Sequence, residues 1–545
     1  MDRRAILAFI ISFLILIFYK DYLKVISPPK SDDPITTSQS VTSEQLNKKK
    51  SHELKVDNVS GKVAVLQEEN YVTLENSKLR IVISNRGANI VSVSLKEYKE
   101  TNKDTEVTIF DSSVSGMKEK NCMGAIRVFD ESGRADNSYN MLTFNEIDSG
   151  GYQTKVFRSP IHDGIQIEKI ITLTDDNYSI EFSAAIENKS QNEKQLKVEL
   201  STAISYEVEN RYDKNYINSV IKNYNNYIST SINKLVKEGY SFNEKIEWLA
   251  LEKKYFINIF NPTFEVEHVR VNVINGDTIM GYISSKSINV LPQSSAKINA
   301  LYYIGPKKYY VLKSYGKKFE DAIARGFFGG LKTYLLIVLL YFNKIFNNYG
   351  FSIIALTVII KILFMPLTHK SFESMRRMQE LQPQMKALQE KHKESPQKLN
   401  KEMMELYKKH KANPFGGCFP LLLQMPVFIA LYHTLSQAVE LRGAPFIWWI
   451  KDLSGPDKIF MFPFTVPIIG NSLNVLPLLM MFSMVWQQKM TPTTAASKEQ
   501  QRMMVMMPII FGVMFYNMPS GLVLYWFMNN ILTIGQQIIT KRLRK

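Results

Sequence analysis

Cysteine is scarce in this 545-residue chain, with only Cys122 and Cys418 present. Two thiols exclude a disulfide scaffold and a cysteine-rich zinc site. Histidine is sparse too, at seven residues, and only His162 and His268 fall in the β-patterned region described below. A carbohydrate-active β-domain there, a competing reading, would need a convergent acid and base, with only these two histidines in the region. No nucleotide-binding motif occurs, so no hydrolysis-driven cycle and no cofactor are expected. Long apolar runs are missing from residues 30–320 and concentrated in 330–545. The mean hydropathy of −0.13 averages over these two regimes. A fully polytopic carrier and a purely soluble protein are both excluded. Acids are also in deficit: Lys+Arg number 67 against 51 Asp+Glu, a net charge of +16.

The N-terminus, MDRRAILAFIISFLILIFYKDYL, places two arginines before an apolar run from Ala5 to Tyr19. This layout fits a cleaved signal or an uncleaved anchor. The run is long for a signal and no small-x-small site follows it. Residues 1–27 are therefore read as a signal-anchor helix with its N-terminus inside. Residues 28–60 are polar and form a flexible tether.

Residues 61–320 read as a β-domain outside the cytoplasm. Segments such as YVTLENSKLRIVIS, GIQIEKIITLTDDNYSIEFSAAIEN and FEVEHVRVNVINGDTIMGYISS alternate apolar and polar residues between turn signals. That is the pattern of an antiparallel β-sandwich, with a helix expected among Tyr212–Tyr255. At 328–349 the apolar core, Tyr334 to Phe342, is too short to cross about 30 Å of hydrocarbon. An interfacial amphipathic helix is expected there. Residues 350–545 carry five spanning candidates: Gly350–Met365, Cys418–Tyr432, Leu473–Trp486, Met503–Met518 and Leu522–Ile539.

Charge sets the expected topology. The loop 371–411, with Lys370 beside it, has eleven cations against six acids, and the tail ends KRLRK. The positive-inside rule puts this loop and both termini in the cytoplasm. The anchor plus five spans gives six crossings, an even number as required. Cys122 then lies outside and Cys418 in the membrane, so no intrachain disulfide is expected. Within the loop, Met375, Met378, Met385 and Met403 fall on apolar seams of two antiparallel helices joined at Ser395-Pro396. Pro383 falls inside the first and is placed to kink it. The methionines either pack the hairpin or contact varied apolar segments. The lysines suit anionic lipid headgroups, with nucleic acid as the alternative.

Lys361 sits inside an apolar span, at a cost of about 2.5–3.5 kcal/mol near a bilayer centre. Thr357 lies one turn before it. Snorkelling toward the nearby helix end is the competing account. In the last span Tyr525, Asn529, Thr533 and Gln536 recur at helical spacing, and Gln424 and Tyr432 add polar groups to another. Interhelical hydrogen bonding explains one such residue. A charge plus a polar stripe points to a hydrated cavity opening toward the cytoplasm. A secondary transporter with a midplane site is the alternative, but it predicts repeated spans and none are seen.

The segments NPFGGCFPLLLQMPVFIALY, ELRGAPFIWWIKDLS, QKMTPTT and MPSGLVLYW, with GFSII…K…PLT (350–368), resemble the YidC family of bacterial membrane protein insertases. WLALEKKYF (248–256) extends the resemblance to the β-domain. The resemblance implies the Gram-negative form of the family. Its features are a periplasmic β-supersandwich, a five-helix transmembrane core, a cytoplasmic helical hairpin and a groove open to cytoplasm and lipid. It implies insertion and folding of nascent inner-membrane proteins, alone or with the Sec translocon. Ribosome or signal-recognition contacts and function as a monomer follow from the same likeness. The family's groove cation, usually Arg, falls on Lys361, and its nearby Thr on Thr357. A Tyr-Tyr pair common in its last helix reads Tyr525-Trp526 here. No enzymatic activity, catalytic residue or metal is implied.

Overall fold

The computed structural model describes residues 69–100, 104–113, 122–147, 153–207, 213–224, 226–392, 395–410, 419–466, 470–490 and 498–542. The anchor, the tether and Cys418 lie outside them. Cys122 is buried.

Alternation of apolar and polar residues builds the β-domain. The strands Tyr71–Glu75, Leu79–Ser84, Asn89–Lys99 and Glu106–Asp111 form a four-stranded antiparallel meander. Behind it lie a nine-stranded and a seven-stranded sheet, antiparallel throughout. In the strand Ile165–Leu173 every second residue is buried, as a strand with one wet face requires. Central strands such as Trp248–Glu252 are buried on both faces. The two large sheets close on each other through polar as well as apolar contacts. Asn258 donates to the Ala203 carbonyl at 2.6 Å and Tyr302 to that of Ser201 at 3.0 Å. Gly281 is required at this closure, because a Cβ there would lie 2.5 Å from the Leu249 side chain. The expected helix in the irregular stretch is α1, Ile232–Glu238.

After the last long strand, Ser295–Pro306, come α2 (Tyr309–Ser314) and α3 (Gly329–Phe346). Helix α4, Tyr349–Glu380, runs straight through Pro366. The expected span ended at Met365. Proline removes one helical N–H, yet membrane helices tolerate this where neighbours re-satisfy the backbone. The carbonyl that loses its donor is that of Ile362, one turn before Pro366; just beyond, the Thr368 hydroxyl lies 3.1 and 3.0 Å from the carbonyls of Phe364 and Met365. Helix α4 starts where Asn348 caps it, accepting from Gly350 N at 2.8 Å. Both α3 and α4 are long and apolar enough to cross a membrane.

Helices α5 (Gln382–Lys391) and α6 (Pro396–Lys409) form a separate compact unit. Pro383 is the second residue of α5, so the chain breaks before it rather than kinking around it. Met385 is buried, and the Tyr407 hydroxyl lies 4.0 Å from its sulfur. Met375 and Met378 are buried on the last turns of α4. The core continues with α7 (Phe419–Gln437), α8 (Val475–Met490), α9 (Lys498–Phe515) and α10 (Ser520–Arg542). A short hairpin, Phe460–Val466 with Gly470–Leu473, precedes α8.

Candidate functional site

The helical core has a dry half and a polar half. Near the β-domain, Leu335, Leu339, Ile353, Leu356, Leu435 and Leu522 pack into one cluster. The β-domain end is fixed by three contacts. Val439, just beyond α7, is buried in the β-domain core. Arg442 donates to the Lys99 carbonyl at 2.6 Å, and Gly521 N at the start of α10 donates to the Leu453 carbonyl. The polar groups lie further along α4 and α10 and nearer the start of α7.

There Lys361 of α4 donates to the Thr533 hydroxyl of α10 at 2.6 Å. The Thr533 hydroxyl in turn donates a hydrogen bond to the Asn529 carbonyl one turn back, also at 2.6 Å. One turn on, Gln536 donates to Thr368 at 2.9 Å. Gln424 of α7 donates to the Tyr525 hydroxyl at 3.1 Å. A small pocket opens among these helices, lined by Lys361, Phe364, Leu367, Thr368, Gln424 and Asn529, with Ile360 at its wall. No carboxylate pairs with Lys361 among the described residues; its one polar contact is a neutral hydroxyl.

Not every expected residue joins this cluster. Thr357 is buried one turn deeper, and its hydroxyl is spent on the Ile353 carbonyl at 2.6 Å. Tyr432 points to the β-domain, with its hydroxyl 3.5 Å from that of Tyr216. Trp526 packs edge-on against Phe428 at 4.9 Å and beside Phe515 at 5.3 Å, an aromatic seam between α7, α9 and α10. Asn530, on the stripe's flank, reaches the Ser483 hydroxyl of α8 at 2.9 Å instead. Phe364 and Thr368 were missed, although they stand three and seven positions after Lys361 and share its helix face.

Outside, the helices present large apolar side chains. Ile362 and Leu363 of α4 are 63% and 72% exposed, and Phe482 of α8 is 66% exposed. Apolar surface on this scale is not sustained in water; hydrocarbon is its natural solvent.

The motif WLALEKKYF explains itself in the fold. Trp248 is wholly buried. Glu252 is bound by Lys307 at 2.9 Å and by Arg325 at 2.5 Å. Burial pushes this carboxyl up, but Arg325 and Lys307 outweigh it and hold it down at about 2. Lys253 donates to the Thr108 carbonyl at 3.2 Å, and Phe256 lies under the Arg442 guanidinium at 5.4 Å. The motif ties the sandwich to the segment entering α3 and to the loop after α7.

Residues 71–338 match the family model described as the YidC periplasmic domain, and residues 341–545 match that of the 60Kd inner membrane protein. Together they define an inner-membrane protein with a periplasmic β-domain. The chain is 33% identical over 566 residues to the membrane protein insertase YidC of Pelobacter propionicus, covering 100% of this chain and 99% of the relative. It is 33% identical over 546 residues to that of Geobacter metallireducens, covering 98% of each. The chain belongs to the YidC family. A crystal structure of an active YidC insertase, with its first transmembrane domain resolved, is 16% identical with a TM-score of 0.37. That alignment covers 86% of this chain and 92% of the other.

Proposed function

We propose that this protein inserts nascent hydrophobic segments into the inner membrane and assists their folding. The observation that carries the reading is the ammonium of Lys361, with no carboxylate partner among the described residues, beside a pocket in the polar half of an otherwise apolar bundle. A charge placed there without a carboxylate partner attracts acidic residues in the short polar flank of an arriving segment. The polar lining lets water enter partway and lowers the barrier for moving that flank. The hydrophobic segment then slides along exposed apolar faces into lipid. Its burial, at about 25 cal/mol per Å² of apolar area, drives the step.

The same reading orients the chain. The cationic hairpin and both termini are cytoplasmic. Helix α3, bearing exposed Tyr334, Tyr341 and Phe346, lies along the outer interface, where aromatic residues anchor. At 18 residues its length alone would let it cross, but crossing would turn the basic hairpin outward. The partners that fit are nascent membrane proteins, the Sec translocon for larger clients, the ribosome or signal-recognition pathway, and anionic lipid under the hairpin. One chain suffices for the pocket.

Photo-crosslinking residues placed at Lys361, Gln424 and Asn529 test this directly. They should capture a stalled single-span nascent chain more strongly than the same probe at lipid-facing Phe482. Equal capture at all four positions would contradict the pocket as the route.

A further inference from the structure

The connection between α7 and α8 starts on the β-domain, where Val439 is buried in the β-domain core and Arg442 bonds the Lys99 carbonyl. It therefore lies on the periplasmic side. Its base is tied to two helices. The buried carboxylate of Asp457 accepts from the Trp449 indole at 2.9 Å and from the first two amides of α8, Val475 and Leu476, at 3.0 and 2.7 Å. Just past α9, the Tyr516 hydroxyl accepts from Asn474 N at 3.1 Å, and its carbonyl from the Asn474 side chain at 2.7 Å.

From this fixed base the connection turns apolar side chains outward. Along the strand Phe460–Val466 three rings form a row, Phe460 to Phe462 at 5.4 Å and Phe462 to Phe464 at 5.5 Å. Phe460 and Phe464 are exposed, and so is Met461, which falls on the opposite strand face. Trp448 is 83% exposed and stacks on Trp449 at 5.8 Å. Its backbone is left-handed, with φ 53°, which a bulky residue seldom adopts. A tight turn, in which Phe446 N donates to the Ile450 carbonyl at 2.9 Å, holds it there.

A two-stranded hairpin that bares apolar side chains on both faces is poorly suited to water. The hydrocarbon interior is excluded too, because the open strand edges would leave backbone groups unpaired there. The interfacial layer meets both demands, with acyl chains for the rings and water for the backbone. Charge agrees. Between Gly443 and Asn474 the exposed charges are Lys451 and Lys458, while Asp452 and Asp457 are turned onto backbone amides. Cations so placed suit anionic headgroups. The hairpin also leads directly into α8, whose Leu478, Leu479 and Phe482 are exposed to hydrocarbon. We infer that this hairpin and Trp448 form a wedge seated in the phospholipid interface of the periplasmic leaflet, with both lysines at headgroup level.

Nitroxide labels on Met461→Cys or Phe464→Cys test the inference, in the full chain with Cys122→Ala and Cys418→Ala. The chain is placed singly in nanodiscs of phosphatidylethanolamine and phosphatidylglycerol. Collision with oxygen, which concentrates in lipid, should exceed collision with a water-soluble nickel chelate. A label at lipid-facing Phe482→Cys should behave alike, and one at Glu131→Cys, exposed on a β-domain turn, the opposite way. Preference for the chelate at 461 and 464 would place the hairpin in water, and protection from both reagents would place it under protein. Either result overturns the inference. The unsubstituted chain gives an independent reading, because Met461 and Met141 are 59% and 52% exposed in the structure. In the same nanodiscs a charged oxidant, chloramine-T, should convert Met461 to its sulfoxide at least roughly fivefold more slowly than Met141, since charge keeps the oxidant out of the apolar layer. Equal rates would overturn the lipid contact.

Discussion

Lys169, wholly buried, and Lys361, half-buried, are two ammonium groups with opposite surroundings. Lys169 lies in the β-domain core and donates to the carbonyls of Gly87 and Gly124 at 2.6 and 2.8 Å and to the Asn89 side chain at 3.0 Å. Burial pushes it down to about 7, yet three acceptors match the three donors of its charged form. It is a cross-brace between the meander and the sandwich. Lys169→Met would take the ammonium donor from three buried oxygens, at about 1–3 kcal/mol for each left without another partner. The thermal midpoint of the full chain should fall markedly, and an unchanged midpoint would show that the brace contributes nothing. Lys361 has one neutral partner among the described residues and a pocket beside it, and the proposed role rests on that setting. The sequence distinguished Lys361 because its apolar run was visible. It could not single out Lys169, because every second residue of a strand looks alike until one knows which face is covered. Tyr432 was misjudged for the same reason: helical spacing names a stripe, but not the neighbour that the stripe meets.

Among the elements, α4 organises the core. Asn348 caps it and also donates to the Phe446 carbonyl at 3.2 Å, so the cap fixes the following loop as well. Gly350 lets that loop close, since a Cβ there would lie 2.0 Å from the Phe446 ring. Gly350→Val should therefore cost about 1–3 kcal/mol through overpacking, read as a lower melting temperature in detergent with Lys361 chemistry untouched. A melting curve identical to the parent would mean that the loop yields freely. The ends of α4 show what periodicity can and cannot reveal. Its apolar face was legible, but its passage through Pro366 was not, because proline ends many helices yet is carried inside membrane helices. The boundary at Pro383 was legible as a disturbance but not as a helix start, since proline suits both a kink and a first turn.

At the scale of the molecule, the β-domain and the dry half of the bundle are clamped by Val439, Arg442 and the Glu252 ion group. Glu252 titrates in the folded state at about 2, below its ordinary 4.5. Its contribution is complete above about pH 4.5 and is lost as the pH falls toward 2. By linkage this is at most roughly 3 kcal/mol. Thermal midpoints measured from pH 7 to pH 3 should drop in the parent chain and drop less in Glu252→Gln, whose starting stability is lower. Parallel curves would rule Glu252 out as the acid-sensitive group. Much of this architecture was readable in advance: alternation, apolar runs and charge asymmetry separated β-domain, bundle and hairpin. The docking of one upon the other was hidden, because its residues are scattered over strands, a linker and a distant loop.

The most direct test of the account is insertion of a small single-span protein with an acidic flank into liposomes carrying the purified chain. Parent, Lys361→Arg and Lys361→Ala chains would be compared at equal protein levels. The account predicts that Lys361→Arg inserts the substrate as the parent does, while Lys361→Ala loses most insertion and recovers it when the flank's acids are neutralised. Normal insertion by Lys361→Ala of the acidic substrate would contradict it.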